Sequence, residues 1–359
     1  MKKKIICLVI PAFLFGCSKN SEEVPPQQAR GQQDSTVAVA PVQTVGVETP
    51  QTKEINDISN QVATLLAAKD YDKIDARAAE FLTSREKYAN GGWKFDAIYA
   101  GLCLPEEASD AEWENHLADI RAWIQAKPDS ITPRVALADN LANYAWKARG
   151  SGWADSVTDE GGRLFSQRLN QAAQVLSDAS IIKDKCPKYW SVKMTLALGM
   201  GLDKTRYDNI FNQATSDYPG YERFYSQRAY YLLPRWYGNE GEWESDLAKS
   251  ADKIGGEDGD MLYAQVVWGI ERDGVVRASF VAHSLSWERV QKGFDVIHKR
   301  YPDSLSAISI HALLAAQRGD RQDAARYYEM TQGKLDLSVW HDKENYDGFT
   351  NWLNNTVKR

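Results

Sequence analysis

Two histidines are the first residues in this sequence whose types and spacing could do chemistry. The 359 residues contain five histidines, and His298 and His311 flank Tyr301-Pro302 so that they could face each other across a helical hairpin. Two imidazoles without a third ligand make a poor zinc site. The sequence also lacks the HExxH, CxxC, GxSxG, GxGxxG and P-loop patterns. We therefore predict no metal, no cofactor and no enzymatic activity.

Clustered carboxylates suggest a second kind of chemistry, because paired Asp and Glu side chains hydrolyse glycosidic bonds. Asp155, Asp159 and Glu160 lie close together, directly before Gly161-Gly162. Such clusters more often form the solvated start of a helix, where negative charge favours the positive end of the helix dipole. A hydrolase that depends on Asp159 or Glu160 is therefore the weakest functional alternative.

Tryptophan is abundant, with 12 residues, and two local patterns that contain it are unusual. These are Gly91-Gly92-Trp93 and Pro234-Arg235-Trp236. Trp and Arg are enriched at the energetic centres of binding interfaces. Trp93, Arg235 and Trp236 are therefore the candidate binding surface. The alternative, which we favour, is structural: such a Trp fills the gap between two hairpins and an Arg stacks on it.

The N-terminus has the pattern of an export signal. Lys2-Lys3-Lys4 is followed by an apolar run from Ile5 to Phe15 and then by Gly16-Cys17. Leu14-Phe15-Gly16-Cys17 resembles the lipobox of bacterial lipoproteins, in which the Cys thiol is diacylglycerated and the peptide is cut before it. The resemblance implies a signal peptide over residues 1–16 and lipid attachment at Cys17. In a Gram-negative host, the following Ser favours the outer membrane, facing the periplasm.

Residues 17–53 are expected to form the lipidated Cys and a disordered tether. They are rich in Pro, Gln, Ser, Thr and Val and show no helical period. The whole chain carries a net charge of −6, which argues against nucleic acid as a partner. No apolar run reaches the roughly 20 residues that a membrane span requires. We therefore expect contact with the membrane through the lipid anchor alone.

The chain after the tether has the apolar period of helices almost throughout. Trp113, Leu117 and Ile120 follow at steps of four and three, which places them on one helix face. Ser109 and Glu112 have the spacing of a capping box at the start of that helix. Alternating patterns of useful length are absent, so a sheet is not expected. The sequence predicts an all-α fold.

The segment Gly319–Glu329 resembles the turn and second helix of a tetratricopeptide unit. Gly319 is expected to end one helix in a left-handed conformation. Asp320 should cap the next helix, and the small Ala324 lets the hairpin pack closely. Because such hairpins cannot bury their apolar faces alone, they stack. We predict that residues 54–359 form a tetratricopeptide-like helical-hairpin solenoid with irregular repeats.

Three stretches together resemble the bacterial family catalogued as domain of unknown function 4034. They read SREKYANGGWK at 84–94, YLLPRWYG at 231–238 and WERVQKGF at 287–294. The resemblance extends over most of residues 60–330. It implies a tetratricopeptide-like helical fold and carries no assigned activity.

Cys103 and Cys186 are the cysteines outside the signal and the lipidation site. An even number of cysteines in an oxidising compartment permits a disulfide between them. Both also lie beside apolar helix positions, where buried thiols are common. The sequence leaves these two possibilities open.

Taken together, these features predict a lipid-anchored envelope protein that acts as a non-enzymatic scaffold for a protein or peptide partner. An alternative is a module that binds cell-wall material or another glycan through Trp and Tyr side chains. The partner itself is not identified by any motif.

Overall fold

The computed structural model describes residues 45–150, 152, 154–272, 284–340 and 343–354. The predicted signal peptide, the lipidation site at Cys17 and most of the predicted tether lie outside these residues. The described part contains sixteen α-helices and two short strands, and we number them in chain order. The helices are α1 Pro50–Ala67, α2 Tyr71–Ser84, α3 Asp96–Gly101, α4 Asp110–Ala126, α5 Thr132–Arg149, α6 Asp159–Asp178, α7 Pro187–Gly199, α8 Lys204–Asp217, α9 Glu222–Tyr231, α10 Glu242–Ile254, α11 Gly256–Arg272, α12 Trp287–Arg300, α13 Leu305–Arg318, α14 Arg321–Met330, α15 Leu337–Trp340 and α16 Lys343–Asn354, and the strands are β1 Val45–Val47 and β2 Lys334–Asp336.

Local sequence signals set several helix ends. The capping box of α4 forms as predicted, with the Ser109 side chain and the Glu112 carboxylate each bonded to the other's backbone N–H. Gly319 ends α13 with φ of 82°, and the Asp320 side chain accepts from the Asp323 N–H at the start of α14. These contacts satisfy backbone groups that a helix end leaves without partners.

The helices pack as the hairpin prediction requires. Helices that follow one another in the chain pack together, as in the pairs α5 with α6, α7 with α8 and α13 with α14. Alternate helices also touch, so that α5, α7, α9 and α11 form one continuous layer. Contact with the next helix and the next but one is the pattern of stacked hairpins. The all-α, solenoid-like fold is therefore confirmed.

One small sheet departs from the prediction that none would form. β1 pairs with β2 in parallel, with Val45 opposite Lys334 and Val47 opposite Asp336. Segments this short show no alternation of apolar and polar residues, so the sequence gives no signal for them. Helix α1 also begins at Pro50, capped by the Thr49 side chain, which is earlier than the predicted boundary at residue 54.

Aromatic side chains fill the spaces between helices. Tyr71 of α2 stacks on Trp123 of α4, and Trp113 of α4 stacks on Tyr144 of α5, with ring centroids 5.3 Å and 5.0 Å apart. Seven of the described tryptophans are buried, namely Trp93, Trp113, Trp123, Trp146, Trp190, Trp243 and Trp340. The abundance of tryptophan therefore reflects mainly core packing, as the structural interpretation predicted.

Candidate ligand-binding site

The start of α9 is fixed by a network of aromatic side chains. The chain turns at Pro219-Gly220, and the Tyr225 hydroxyl donates to the Pro219 carbonyl at 2.8 Å. Trp93 Nε1 donates to the Gly220 carbonyl at 3.3 Å, and the Trp93 ring meets the Tyr221 ring edge-on. This network holds the first residue of α9, Glu222, in a defined place.

One side of helix α11 forms a second wall of the space beside the start of α9. Gln265, Trp268, Gly269 and Arg272 follow at helical spacing and share one side of α11. At Gly269 an added Cβ would lie 3.1 Å from the Ser226 Oγ, tighter than a relaxed contact. The absence of a side chain at this position therefore allows α9 and α11 to approach closely.

A cavity of about 190 Å³ lies between these elements. Glu222, Gln227 and Tyr230 of α9 border it, opposite the face of α11. Arg223 and Ser226 of α9 also line it. The remaining walls are apolar residues of α12 and α13, namely Phe294, Ile297, Ala307 and Ile310, together with Asn90 and Gly92 of the loop before Trp93. A second cavity of about 130 Å³ shares Trp268 and Arg272 with the first and continues towards Trp340 and Asn345. The two cavities follow one another along α11.

Glu222 is the acidic residue of the first cavity. Its half-buried carboxylate forms no direct ion pair with another described residue, although the positive charges of Lys87 and Arg223 act to lower its pKa. Burial raises the pKa of Glu222 to about 7, and the nearby carboxylate of Asp96 adds to this effect. Asp96 itself accepts a hydrogen bond from the Tyr221 hydroxyl and lies 3.9 Å from the Arg223 guanidinium. Glu222 therefore borders the cavity as a carboxyl group without a direct ion pair, with the charges of Lys87 and Arg223 in its surroundings.

Gln227 lies beside the cavity, and its amide oxygen is a hydrogen-bond acceptor that has no donor. Its side chain is 4% exposed, and its Nε2 donates to the Ser191 carbonyl at 2.9 Å and to Thr195 Oγ1 at 3.0 Å. These two acceptors fix the orientation of the amide. Its Oε1 is buried and has no hydrogen-bond partner. A buried polar atom without a partner is unusual in folded proteins.

The fold places the three residues of the predicted binding surface, Trp93, Arg235 and Trp236, in different surroundings. Trp93 is 5% exposed and lies in the core, so its assignment to a binding surface is wrong, because its ring and N–H are used to hold α9. Arg235 is exposed, but it stacks on the Tyr230 ring instead of a tryptophan, and its Nη2 donates to the Tyr230 hydroxyl at 2.8 Å. Trp236 is half-buried against Trp146. Arg235 and Trp236 lie behind Tyr230 and do not line the cavity.

The two cysteines are not joined by a disulfide, and each remains a thiol. The Cys103 thiol donates to Asp139 Oδ2 at 3.2 Å, and Asp139 is paired with Lys188 at 2.8 Å. Cys186 is buried and lies 3.3 Å from the Tyr99 hydroxyl. Burial raises the pKa of the Cys186 thiol, which lowers its reactivity. Of the two possibilities that the sequence left open, the structure contains two free thiols, of which that of Cys186 is buried and that of Cys103 is partly exposed.

Three of the other candidate chemical groups, His298, His311 and Glu160, have structural partners. His298 and His311 do face each other, with His298 Nε2 3.2 Å from His311 Nδ1. Asp159 and Glu160 form the first turn of α6, where Glu160 pairs with Arg163 at 2.7 Å. Among the described residues, no group of three His, Cys, Asp or Glu side chains is placed to hold a metal ion.

Sequence reasoning missed Glu222, Gln227 and Trp268 as site residues. Glu222 and Gln227 stand in a segment rich in tyrosine, and its tyrosines Tyr221, Tyr225, Tyr230 and Tyr231 are buried in the core. The available signal was the presence of polar side chains at helical spacing among them. This signal is weak, because only the stacking of α9 on α11 turns these positions towards one cavity.

Comparison with known proteins supports the family resemblance over part of the chain. The sequence model of a domain of unknown function (DUF4034) matches residues 59–177. This range includes the first of the three stretches that carry the resemblance and reaches from α1 to α6. No curated protein and no solved structure matches the chain. Within the described residues, no helix is both long and apolar enough to cross a bilayer.

Proposed function

We propose that this protein is a lipid-anchored envelope scaffold that binds a peptide or protein segment in the cavity between α9 and α11. The observation that carries the proposal is the composition of this cavity, where polar side chains converge on an aromatic and apolar pocket. Pockets of this kind use a few placed polar groups to orient a ligand. The N-terminal export pattern with Cys17 supports the anchoring, and the tether would hold the body away from the membrane surface.

The size of the cavity favours a segment of a larger partner over a complete small molecule. Small-molecule sites usually enclose about 300–1,000 Å³. The first cavity is smaller, at about 190 Å³, and the second continues from it along α11. An extended peptide would place neighbouring side chains in the two cavities, with Trp268 between them.

The test is affinity capture of partners from an envelope extract by the tagged full-length chain in mild detergent. Trp268→Ala removes the aromatic wall that both cavities share, and we expect it to abolish capture. Trp352→Ala is the matched control, because Trp352 is also half-buried but lines neither cavity. Equal capture by the two variants, or no specific capture by the unaltered chain, would contradict the proposal.

Glycan binding is the second candidate, and Tyr237 is the observation that favours it. Tyr237 is 37% exposed and follows the exposed Arg235 and the half-buried Trp236 in the same loop. Exposed aromatic rings of this kind can stack on sugar rings. Titration with peptidoglycan fragments tests this candidate, which fails if the heat of binding is unchanged between the unaltered chain and Tyr237→Ala.

A further inference from the structure

We infer that the cavity between α9 and α11 accepts a basic side chain of the bound peptide, with the Glu222 carboxylate as its counter-ion. This inference rests on the proposed peptide-binding function and specifies its ligand chemistry. The recognised group is an ammonium or guanidinium group at the end of an aliphatic stem.

The charged residues around Glu222 favour a positively charged ligand group. The next residue, Arg223, also lines the cavity and lies 3.9 Å from Asp96, and Arg228, five residues further along α9, is held by Asp208 and Asp246 at 2.6 Å and 2.7 Å. The positive charges on the same helix are therefore offset by other carboxylates. Among the described residues Glu222 forms no direct ion pair of this kind, and Lys87 and Arg223 act on it only through their charges. Since an isolated half-buried carboxylate is unfavourable, a cation that enters the cavity gains a strong partner.

The side chain of Gln227 independently favours a ligand group that donates hydrogen bonds. Its amide is held by two acceptors of α7, and its Oε1 is left without a donor at the edge of the same cavity. A carboxylate and an amide oxygen are both acceptors, and neither donates when the carboxylate is ionised. A ligand group that offers several N–H donors therefore complements them, whereas an anionic ligand group does not.

The walls of the cavity suit the rest of a basic side chain. Phe294, Ile297 and Ile310 provide an apolar surface for methylene groups, as the stems of Lys and Arg require. The rings of Tyr230 and Trp268 border the cavity, and aromatic faces attract cations.

Two libraries of short capped peptides test the inference, one with lysine and one with norleucine fixed at the central position. Both are passed over the immobilised full-length chain, and bound peptide is quantified by mass spectrometry. We expect the lysine library to be retained about tenfold better, as for a charge-assisted hydrogen bond. Glu222→Gln keeps the shape of the side chain and should remove this preference. Glu240→Gln, an exposed glutamate outside the cavity, should leave the preference intact.

The outcomes separate this inference from the proposed function. Equal retention of both libraries, or a lysine preference that survives in Glu222→Gln, overturns the inference but leaves peptide binding in place. Retention of neither library, with no loss of partner capture in Trp268→Ala, overturns both. A thermal melt of Glu222→Gln confirms that the variant is folded. Added salt should weaken retention of the lysine library by the unaltered chain and have little effect on Glu222→Gln.

Discussion

His298 of α12 and His311 of α13 meet across their hairpin, with Nε2 of the first 3.2 Å from Nδ1 of the second. The Tyr327 ring of α14 stacks on His311 with ring centroids 3.9 Å apart, and the Phe294 ring stacks on it at 4.6 Å. The pair thus belongs to an aromatic stack that joins three helices. Both imidazoles are held in an environment that opposes their protonation.

This pair predicts a loss of stability in acid. Burial, with a smaller effect of the Arg326 charge, lowers the pKa of His298 to about 4, and burial, the neighbouring His298 and Arg326 together lower the pKa of His311 to about 3. An unfolded histidine titrates near 6.5, so the unfolded chain binds protons first as the pH falls. Stability is therefore complete above about pH 6.5 and decreases below it, by about 2 kcal/mol at pH 5 for His311. Thermal melts at pH 7 and pH 5 measure this loss.

The variant His311→Phe identifies the source of that pH dependence. Phenylalanine keeps the stacking on Tyr327 and has no titrating group. We expect the difference in melting temperature between pH 7 and pH 5 to shrink. A difference as large as that of the unaltered chain would show that other groups cause the acid sensitivity.

Gly293 should be intolerant of substitution because α12 lies against α11 at this point. An added Cβ would lie 2.2 Å from the Asp260 carbonyl oxygen, which is backbone and cannot rotate away. We expect Gly293→Ala to lower the free energy of unfolding by about 1–3 kcal/mol. Gly348→Ala in α16 is the matched control, since nothing lies within 4 Å of its added Cβ. In a helix it should be neutral or stabilising by up to about 1 kcal/mol. Equal effects in urea unfolding would contradict this.

Arg228 joins three helices through its guanidinium group. Its Nη1 donates to Asp208 of α8 at 2.6 Å, while Nε and Nη2 donate to the two oxygens of Asp246 of α10 at 2.7 Å and 2.8 Å. Lysine cannot make this fork, so Arg228→Lys should cost about 2–3 kcal/mol of stability. Arg163→Lys, in the exposed pair with Glu160, should change stability much less, because water screens an exposed ion pair. Chemical denaturation of both variants measures the contrast, and similar losses would count against the role of Arg228.

The lipid anchor can be tested through Cys17. Cys17→Ser should release the protein from the membrane fraction and abolish metabolic labelling with an alkyne-tagged fatty acid. Cys103→Ser removes a cysteine of the helical body and should leave both properties unchanged. Labelling that persists in Cys17→Ser, or is lost in Cys103→Ser, would refute lipid attachment at Cys17.

Local features of the fold were predictable, because each depends on residues close in sequence. The capping box of Ser109 and Glu112 and the turn at Gly319-Asp320 form as expected. The cavity was not predictable, since Glu222 and Trp268 converge only when α9 stacks on α11. Short-range periodicity shows that such positions belong to helices. It does not show which neighbouring helix they will face.

The parallel pairing of β1 with β2 has a mechanical consequence. The first described residues hydrogen-bond to a strand between α14 and α15, so the two ends of the helical body are fastened together. A force applied through the N-terminal segment would act on this strand pair first. Helix α1 could be separated from its neighbouring helices only after the strands had come apart. The C-terminal helices, which are joined to β2, would bear part of the force. The helices between the two strands would not be stretched until the β1–β2 pair separated.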